Sequence, residues 1–209
     1  ELVERGHIYI AQPPLYKVKH GKDERYIKDD HELSLYLLRL ALDGARLYTD
    51  ARAVETATPI AGDALDELAR QFLLADAVVR RLSHVIDRAA LEAITNGVEL
   101  NLSDAAATEA SAHTLKAAMG NDTVDVRAIY DGTTDKHRLR IERRQHGNIR
   151  ASGIDAEFTH GADYATLNHA ARTFRGLIGA GAKVARGEGD NAKEAPIADF
   201  GAAMQWLLA

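Results

Sequence analysis

Leu65, Leu68, Phe72, Ala75, Val79, Leu82 and Ile86 recur at alternating spacings of three and four residues. That period sets them along one face of a single long α-helix. Asp66 and Glu67 suit its positive N-terminal end, Arg80 and Arg81 suit its other end, and Asp63 is the expected N-cap. Such a stripe serves either a partner helix or the protein's own core. Helices of globular domains use the same spacing, so the expectation is a core-facing stripe. Hydrophobic residues make up 46% of the chain, which is enough for such a core.

The flanking segments alternate between strand and helix signals. His7-Ile8-Tyr9-Ile10-Ala11 is a short apolar run that predicts a buried strand, broken by Gln12-Pro13-Pro14. Leu15-Tyr16-Lys17-Val18-Lys19 and Glu24-Arg25-Tyr26-Ile27-Lys28 flank turn chemistry at His20-Gly21-Lys22-Asp23, a hairpin signal. Asp29-Asp30 offers an N-cap with Glu32 in the first turn of a helix over residues 31–40, with a strand over 33–42 as the alternative. Residues 43–62 read as turns. Beyond the long helix come a short helix over 87–95 and a strand-like alternation in Val98-Glu99-Leu100-Asn101-Leu102. A helix capped by Ser103 then runs to Gly120. Strands are predicted over residues 124–130 and 137–143, with a third near Ala156-Glu157-Phe158. Tyr164, Leu167, Ala171, Phe174 and Ile178 mark an amphipathic helix reaching Gly179 and Gly181. Residues 187–195 read as a polar, mobile loop, and Pro196 as the start of a last helix carrying Phe200, Met204 and Leu207. This helix runs into the chain end and the first residue is Glu1, so the sequence reads as a piece of something longer.

Composition narrows the chemistry. With no cysteine, disulfides, thiolate zinc sites and cysteine nucleophiles are excluded. A net charge of −5 excludes a surface that grips nucleic acid all over, though not a local positive patch. No apolar run approaches the roughly 18 residues of a membrane span, and no signal peptide opens the chain. The chain has nine histidines, none at the spacing that puts two ligands on one helical face.

The run Leu2-Val3-Glu4-Arg5-Gly6-His7-Ile8-Tyr9-Ile10-Ala11-Gln12-Pro13-Pro14-Leu15-Tyr16-Lys17-Val18, followed by Tyr26-Ile27-Lys28-Asp29-Asp30, resembles the segment that closes the TOPRIM region in B subunits of bacterial DNA gyrases. Near the other end, Phe200-Gly201-Ala202-Ala203-Met204-Gln205-Trp206-Leu207 is similar to the helix preceding that family's Gln-Arg-Tyr-Lys-Gly-Leu-Gly-Glu motif. Asp43-Gly44-Ala45, Leu102-Ser103-Asp104 and Arg175-Gly176-Leu177 resemble landmarks of the insertion carried by Gram-negative members. Topoisomerase IV subunits share part of the first match and are the alternative family.

The resemblance implies an α+β fold in three parts. Residues 1–32 would be the C-terminal part of the TOPRIM region, 33–195 an insertion domain of helices and antiparallel sheet, and 196–209 a return helix. The helices after Asp30 and after Pro196 would be the two halves of one interrupted host element. It implies an ATP-dependent type II topoisomerase as parent, which passes one duplex through a double-strand break in another and introduces negative supercoils. Partners would be DNA, the gyrase A subunit and the other domains of the B subunit, in the cytoplasm, with the isolated piece monomeric. In this family the Mg²⁺-holding carboxylates and the ATP site lie outside the segment matched here. The piece itself is therefore expected to be a non-catalytic scaffold holding neither. Glu188-Gly189-Asp190-Asn191-Ala192 imitates the start of the family's metal loop. It lacks the paired glycines, and the preceding Lys183-Val184-Ala185-Arg186-Gly187 does not read as a buried strand. Tyr9, Tyr16 and Tyr26 are expected to be packing residues, since the family's nucleophilic tyrosine belongs to the A subunit.

One positive signal remains. Lys136, Arg138, Arg140, Arg143, Arg144 and Arg150 lie close together with only Glu142 among them as an acid. Period two puts Arg138, Arg140 and Glu142 on one face, opposite Leu139, Ile141 and Arg143. Lys17, Lys19, Lys22 and Lys28 form a weaker patch, with Lys17 and Lys19 pointing the same way along the strand and Asp23, Glu24, Asp29 and Asp30 cancelling much of its field. Either these are contacts to DNA or a protein partner, or they are a solvated sheet face balanced by nearby acids. A stand-alone nucleic-acid-binding module built on residues 136–150 is the alternative to the scaffold.

Overall fold

The computed structural model describes residues 14–120, 123–145, 147–187 and 192–209. The expected strand at His7-Ile8-Tyr9-Ile10-Ala11, His146 and the Glu188-Gly189-Asp190-Asn191 run lie outside the described residues.

The hairpin forms as expected. Strands β1 (Tyr16–His20) and β2 (Asp23–Ile27) pair antiparallel from Tyr16 opposite Ile27 to His20 opposite Asp23. Gly21 takes φ +60° in the turn, a conformation that favours glycine. Ile27 is fully buried, but Tyr26 is 59% exposed, so Tyr26 is not the packing residue expected of it. Tyr16 donates its hydroxyl hydrogen to Asp30. Helix α1 (Asp30–Leu42) follows, with the Asp29 carboxylate accepting from the Glu32 N–H at 2.8 Å; the strand alternative for this segment is thereby replaced.

Residues 43–62 hold more than turns. Strand β3 (Ala45–Tyr48), the short helix α2 (Ala51–Glu55) and strand β4 (Ile60–Ala61) occupy them. Near the other end of the chain lie β8 (Lys183–Arg186) and β9 (Lys193–Pro196). Together they form an antiparallel sheet in the order β4-β3-β8-β9. The expected mobile loop thus contains an ordered strand, and Pro196 closes that strand instead of opening a helix. The segment before Glu188 is also a buried strand, contrary to expectation, with Val184 and Ala185 0% and 4% exposed. Beyond the paired strands, the Gly187 N–H donates to the Gly44 carbonyl at 3.2 Å.

Helix α3 (Asp63–Leu82) is the element announced by the apolar stripe. Its N-cap is Gly62, with no side-chain cap, so Asp63 is the first helical residue and not the cap. Leu65, Ala69, Ala75 and Val79 are buried, and Ile86 is buried just past its end. Helix α4 (Arg88–Thr95) is capped by Asp87, and helix α5 (Ala105–Met119) by Asp104, not Ser103; the Asp104 carboxylate accepts from the Ala107 N–H at 2.8 Å. Residues 98–102 form no strand. The Leu100 N–H donates to the Tyr164 hydroxyl at 2.6 Å and the Asn101 N–H to Ser111 Oγ at 2.9 Å, so side chains satisfy the backbone that a sheet would otherwise satisfy.

Strands β5 (Val124–Asp131), β6 (Lys136–Gln145) and β7 (Asn148–Ile154) form a three-stranded antiparallel meander. The third strand therefore lies earlier than expected. Residues 156–158 instead begin helix α6 (Ala156–Thr159), because the Asp155 carboxylate accepts from the Phe158 N–H and caps it. Helix α7 (Ala162–Phe174) stops short of Gly179, with Arg175 leaving the helical conformation. Helix α8 (Phe200–Leu208) is capped by Asp199.

The result is α+β with two apolar cores. One gathers the sheet β5-β6-β7, α4, α5, α7 and the C-terminal half of α3, around Leu91, Ile94, Leu115, Leu139, Ile141, Ile154 and Leu167. The other gathers α1, β3, β8, α8 and the N-terminal half of α3, around Leu38, Leu47, Leu65, Val184, Met204 and Leu207. In the second core Arg186 Nη1 donates to the carbonyls of Ala41 at 3.3 Å and Leu207 at 3.1 Å, with its guanidinium carbon 5.5 Å from the Trp206 ring centre. One cation thus serves the negative ends of α1 and α8 together. The last turns of the two helices thus meet at one guanidinium.

Candidate nucleic-acid interface

The β5-β6-β7 sheet buries one face under helices and leaves the other open, as antiparallel sheets commonly do. Strand alternation decides which cations are offered to solvent. Leu139 and Ile141 point inward and are 0% and 1% exposed. Lys136, Arg138, Arg140, Glu142 and Arg144 therefore share the outward row, spaced by about 6.7 Å per alternate residue. The register adds neighbours from β5: Arg127 opposite Arg140, Ile129 opposite Arg138, Asp131 opposite Lys136 and Asp125 opposite Glu142. From β7 come Ile149 opposite Arg144, Ala151 opposite Glu142 and Gly153 opposite Arg140.

Arg127 and Arg140, directly opposed, would repel. Each instead has its own carboxylate: Arg127 Nε donates to Asp125 at 2.6 Å, and Arg140 Nε to Glu142 at 2.8 Å. Asp125 also accepts from Lys116 Nζ at 2.8 Å, and these two hydrogen bonds hold its carboxyl below the usual carboxylate range. Hydrogen bonds from Thr133 likewise lower Asp131, with a smaller contribution from Arg138. Among the described residues, Lys136 and Arg144 make no ion pair. Ala151, with only a methyl, and Gly153, with no side chain, leave a shallow notch of about 240 Å³ that Ile129, Arg138 and Arg140 also line.

The structure divides the sequence-predicted cations into groups. Lys136, Arg138, Arg140 and Arg144 come together on the open face. Arg143 does not. It points inward and grips Asp87 with two hydrogen bonds, Nε to Oδ2 at 2.7 Å and Nη2 to Oδ1 at 2.8 Å. Asp87 is already the N-cap of α4, so this pair ties helix to sheet. Arg143's hydrogen bonds hold the Asp87 carboxyl below its usual range against the opposing effect of burial. Arg150 is opposite Arg143 in the register, and its Nη2 donates to the carbonyls of Ser83 at 3.2 Å and His84 at 3.1 Å, just past α3. Lys17 and Lys19 lie on the separate β1-β2 hairpin, where Lys17 pairs with Glu24. Arg127 escaped the sequence reading. Its place is fixed by the β5-β6 register, and only the alternation Asp125, Arg127, Ile129, Asp131 hinted at it.

This face can neutralise phosphate or a carboxylate-rich protein surface with apolar contact between the charges. Among the described residues, no group of three or more His, Cys, Asp or Glu side chains could hold a metal ion. No helix among the described residues is long and apolar enough to cross a membrane.

Residues 45–209 match the family described as the DNA gyrase B subunit insert domain, and residues 14–42 match the gyrase B hook. Among curated proteins, the DNA gyrase B subunit of Caulobacter vibrioides is 60% identical over 47 residues, covering 22% of this chain and 6% of that protein. The DNA gyrase B subunit of Rickettsia felis is 34% identical over 101 residues, covering 48% and 12%. The type 2 topoisomerase B subunit of Aquifex aeolicus is 54% identical over 55 residues, covering 26% and 7%. The matched segments thus span a minor part of each relative's length.

Proposed function

The chain belongs to the DNA gyrase B subunit insert-domain family, and from that premise we propose that it is a non-catalytic scaffold within the B subunit of an ATP-dependent type II topoisomerase. It braces the B subunit against the A subunit, and the outward row Lys136, Arg138, Arg140 and Arg144 supports DNA. Residues before about 33 would belong to the TOPRIM region of the same subunit. Mg²⁺ and ATP would be held by other parts of the parent, in the cytoplasm.

The observation that supports this reading best is the shared seat of α1 and α8. Both line one core, and Arg186 holds the last turn of each. Helices α1 and α8, fixed to each other in this way, transmit position from one to the other, which a spacer requires. The cation distribution favours the scaffold over a stand-alone nucleic-acid module. Two of the six cations between residues 136 and 150, Arg143 and Arg150, are spent on internal contacts.

The test uses the full-length B subunit reconstituted with its A subunit. Leu139→Asp, which puts a charge in the core beneath the sheet, should lower ATP-driven supercoiling at least tenfold while the subunit's ATP hydrolysis persists. Unchanged supercoiling overturns the scaffold. Charge reversal of Lys136, Arg138 and Arg144 should weaken DNA binding by the assembled enzyme and flatten its salt dependence. If the 209-residue chain alone instead binds duplex DNA tightly, with log affinity falling steeply with log salt, the module reading replaces the scaffold.

A further inference from the structure

The two cores meet along a seam, and the seam is open. A cleft of about 440 Å³ lies between α3, α4, α7 and α8, within the size range of small-molecule sites. Its floor is aromatic. Phe72, Phe174 and Phe200 pack with ring centres 6.1, 5.8 and 4.6 Å apart, the closest pair, Phe174 and Phe200, nearly parallel at 21°. Phe200 is buried, but Phe72 and Phe174 are only half-buried and present ring surface to the cleft. Ala75 and Ala171 keep the walls low where larger side chains would fill the space.

The rim charges decide what could lie on that floor. Asp76 is paired with Arg80 at 2.7 Å, and Arg88 with Glu92 at 2.7 Å. Asp199 accepts from the Ala202 N–H at 2.7 Å as the cap of α8. Arg175 is the remaining rim cation, and among the described residues its side chain makes no ion pair. It lies across Gly97, where a Cβ would come within 3.8 Å of its Cδ.

From this geometry we infer a binding site for a small aromatic anion: a flat ring system on the phenylalanine floor, its carboxylate or sulfonate against the Arg175 guanidinium. Ring-on-ring contact supplies affinity, and the charge-assisted hydrogen bond supplies orientation. Such a ligand touches elements of both cores and would fix them against each other. The inference stands apart from the scaffold reading, because it uses no residue of the open sheet face.

The test is ligand-observed saturation-transfer NMR on the full-length B subunit, with 1-naphthoate and 1-naphthylmethylammonium as probes of equal shape and opposite charge. Naphthoate should bind at least tenfold more tightly. Arg175→Glu, an exposed change that leaves the fold intact, should invert that preference. Ala171→Trp should abolish both signals by filling the cleft. Absence of saturable naphthoate binding overturns the site, as does a preference for naphthoate that Arg175→Glu leaves unmoved.

Discussion

The two cores are similar in chemistry and opposite in origin. The core under the three-stranded sheet is drawn from one continuous stretch, between Ala75 and Ala170. The core around Arg186 is drawn from two distant stretches, Leu38 to Ala69 and Val184 to Leu207. In the first, neighbouring strands are close in sequence: β5 and β6 are joined by residues 132–135, and Gln145 of β6 pairs with Asn148 of β7. In the second, β3 and β8 pair only after most of the chain has intervened, with Leu47 opposite Val184. The second therefore carries a larger loop-closure cost before any contact is returned. It meets that cost with fully buried Leu47, Val184 and Met204 and with the Arg186 hydrogen bonds.

Helix α3 contributes to both cores, and Phe174 packs against both. The two should therefore unfold as one unit. Leu139→Ala in the first core and Leu47→Ala in the second should each cost about 3–4 kcal/mol, since both side chains are fully buried. Each should move the same single transition in urea unfolding. Two transitions, each shifted by only one of the substitutions, would break the idea of a common unit.

Next in size is the Arg143–Asp87 pair, with side chains 23% and 9% exposed. Arg143→Ala leaves a nearly buried carboxylate unpaired and should cost about 2–3 kcal/mol at pH 7, somewhat less than for a wholly buried pair. Because Asp87's folded pKa is depressed, its contribution is present above the unfolded value of about 3.9 and is lost as pH falls through the folded value. Urea midpoints at pH 7 and pH 3 should therefore converge between the parent and Arg143→Ala at the lower pH. A gap as wide at pH 3 as at pH 7 would show that the pair does not act through that ionisation.

Arg186→Met keeps the apolar stem and removes both carbonyl contacts. A loss of about 1–2 kcal/mol is expected. Amide exchange should accelerate in the last turns of α1 and α8 more than in the β5-β6-β7 sheet, and uniform acceleration would contradict the local role. Smallest is Gly120→Ala. Gly120 ends α5 at φ +57° with open space around its Cα, so only backbone strain is added. A cost of about 1 kcal/mol is expected from thermal unfolding, and a neutral result would show that the α5 end relaxes freely.

The same difference in origin explains what could be read in advance. The β1-β2 hairpin, α1, α3, α4 and the pairing of β5 with β6 all announce themselves through turn residues, caps or period within a short window. Ala45–Tyr48 and Lys183–Arg186 are four residues each, too short for a period to show, and their pairing is written nowhere locally. Residues 98–102 failed in the opposite direction. Their alternation is genuine, with Leu100 and Leu102 buried, but Tyr164 and Ser111 take the hydrogen bonds a neighbouring strand would have taken. At the candidate interface, composition found the cations and alternation sorted them by face. Only the third dimension showed that Arg143 has Asp87 beneath it and that Arg150 holds the chain just past α3.

Arg186 has a mechanical consequence. Because one guanidinium grips a last-turn carbonyl of each of two helices far apart in sequence, a pull on α8 reaches α1 within a single side chain's width. Load can cross this joint without travelling through the long stretch of chain between Leu42 and Phe200.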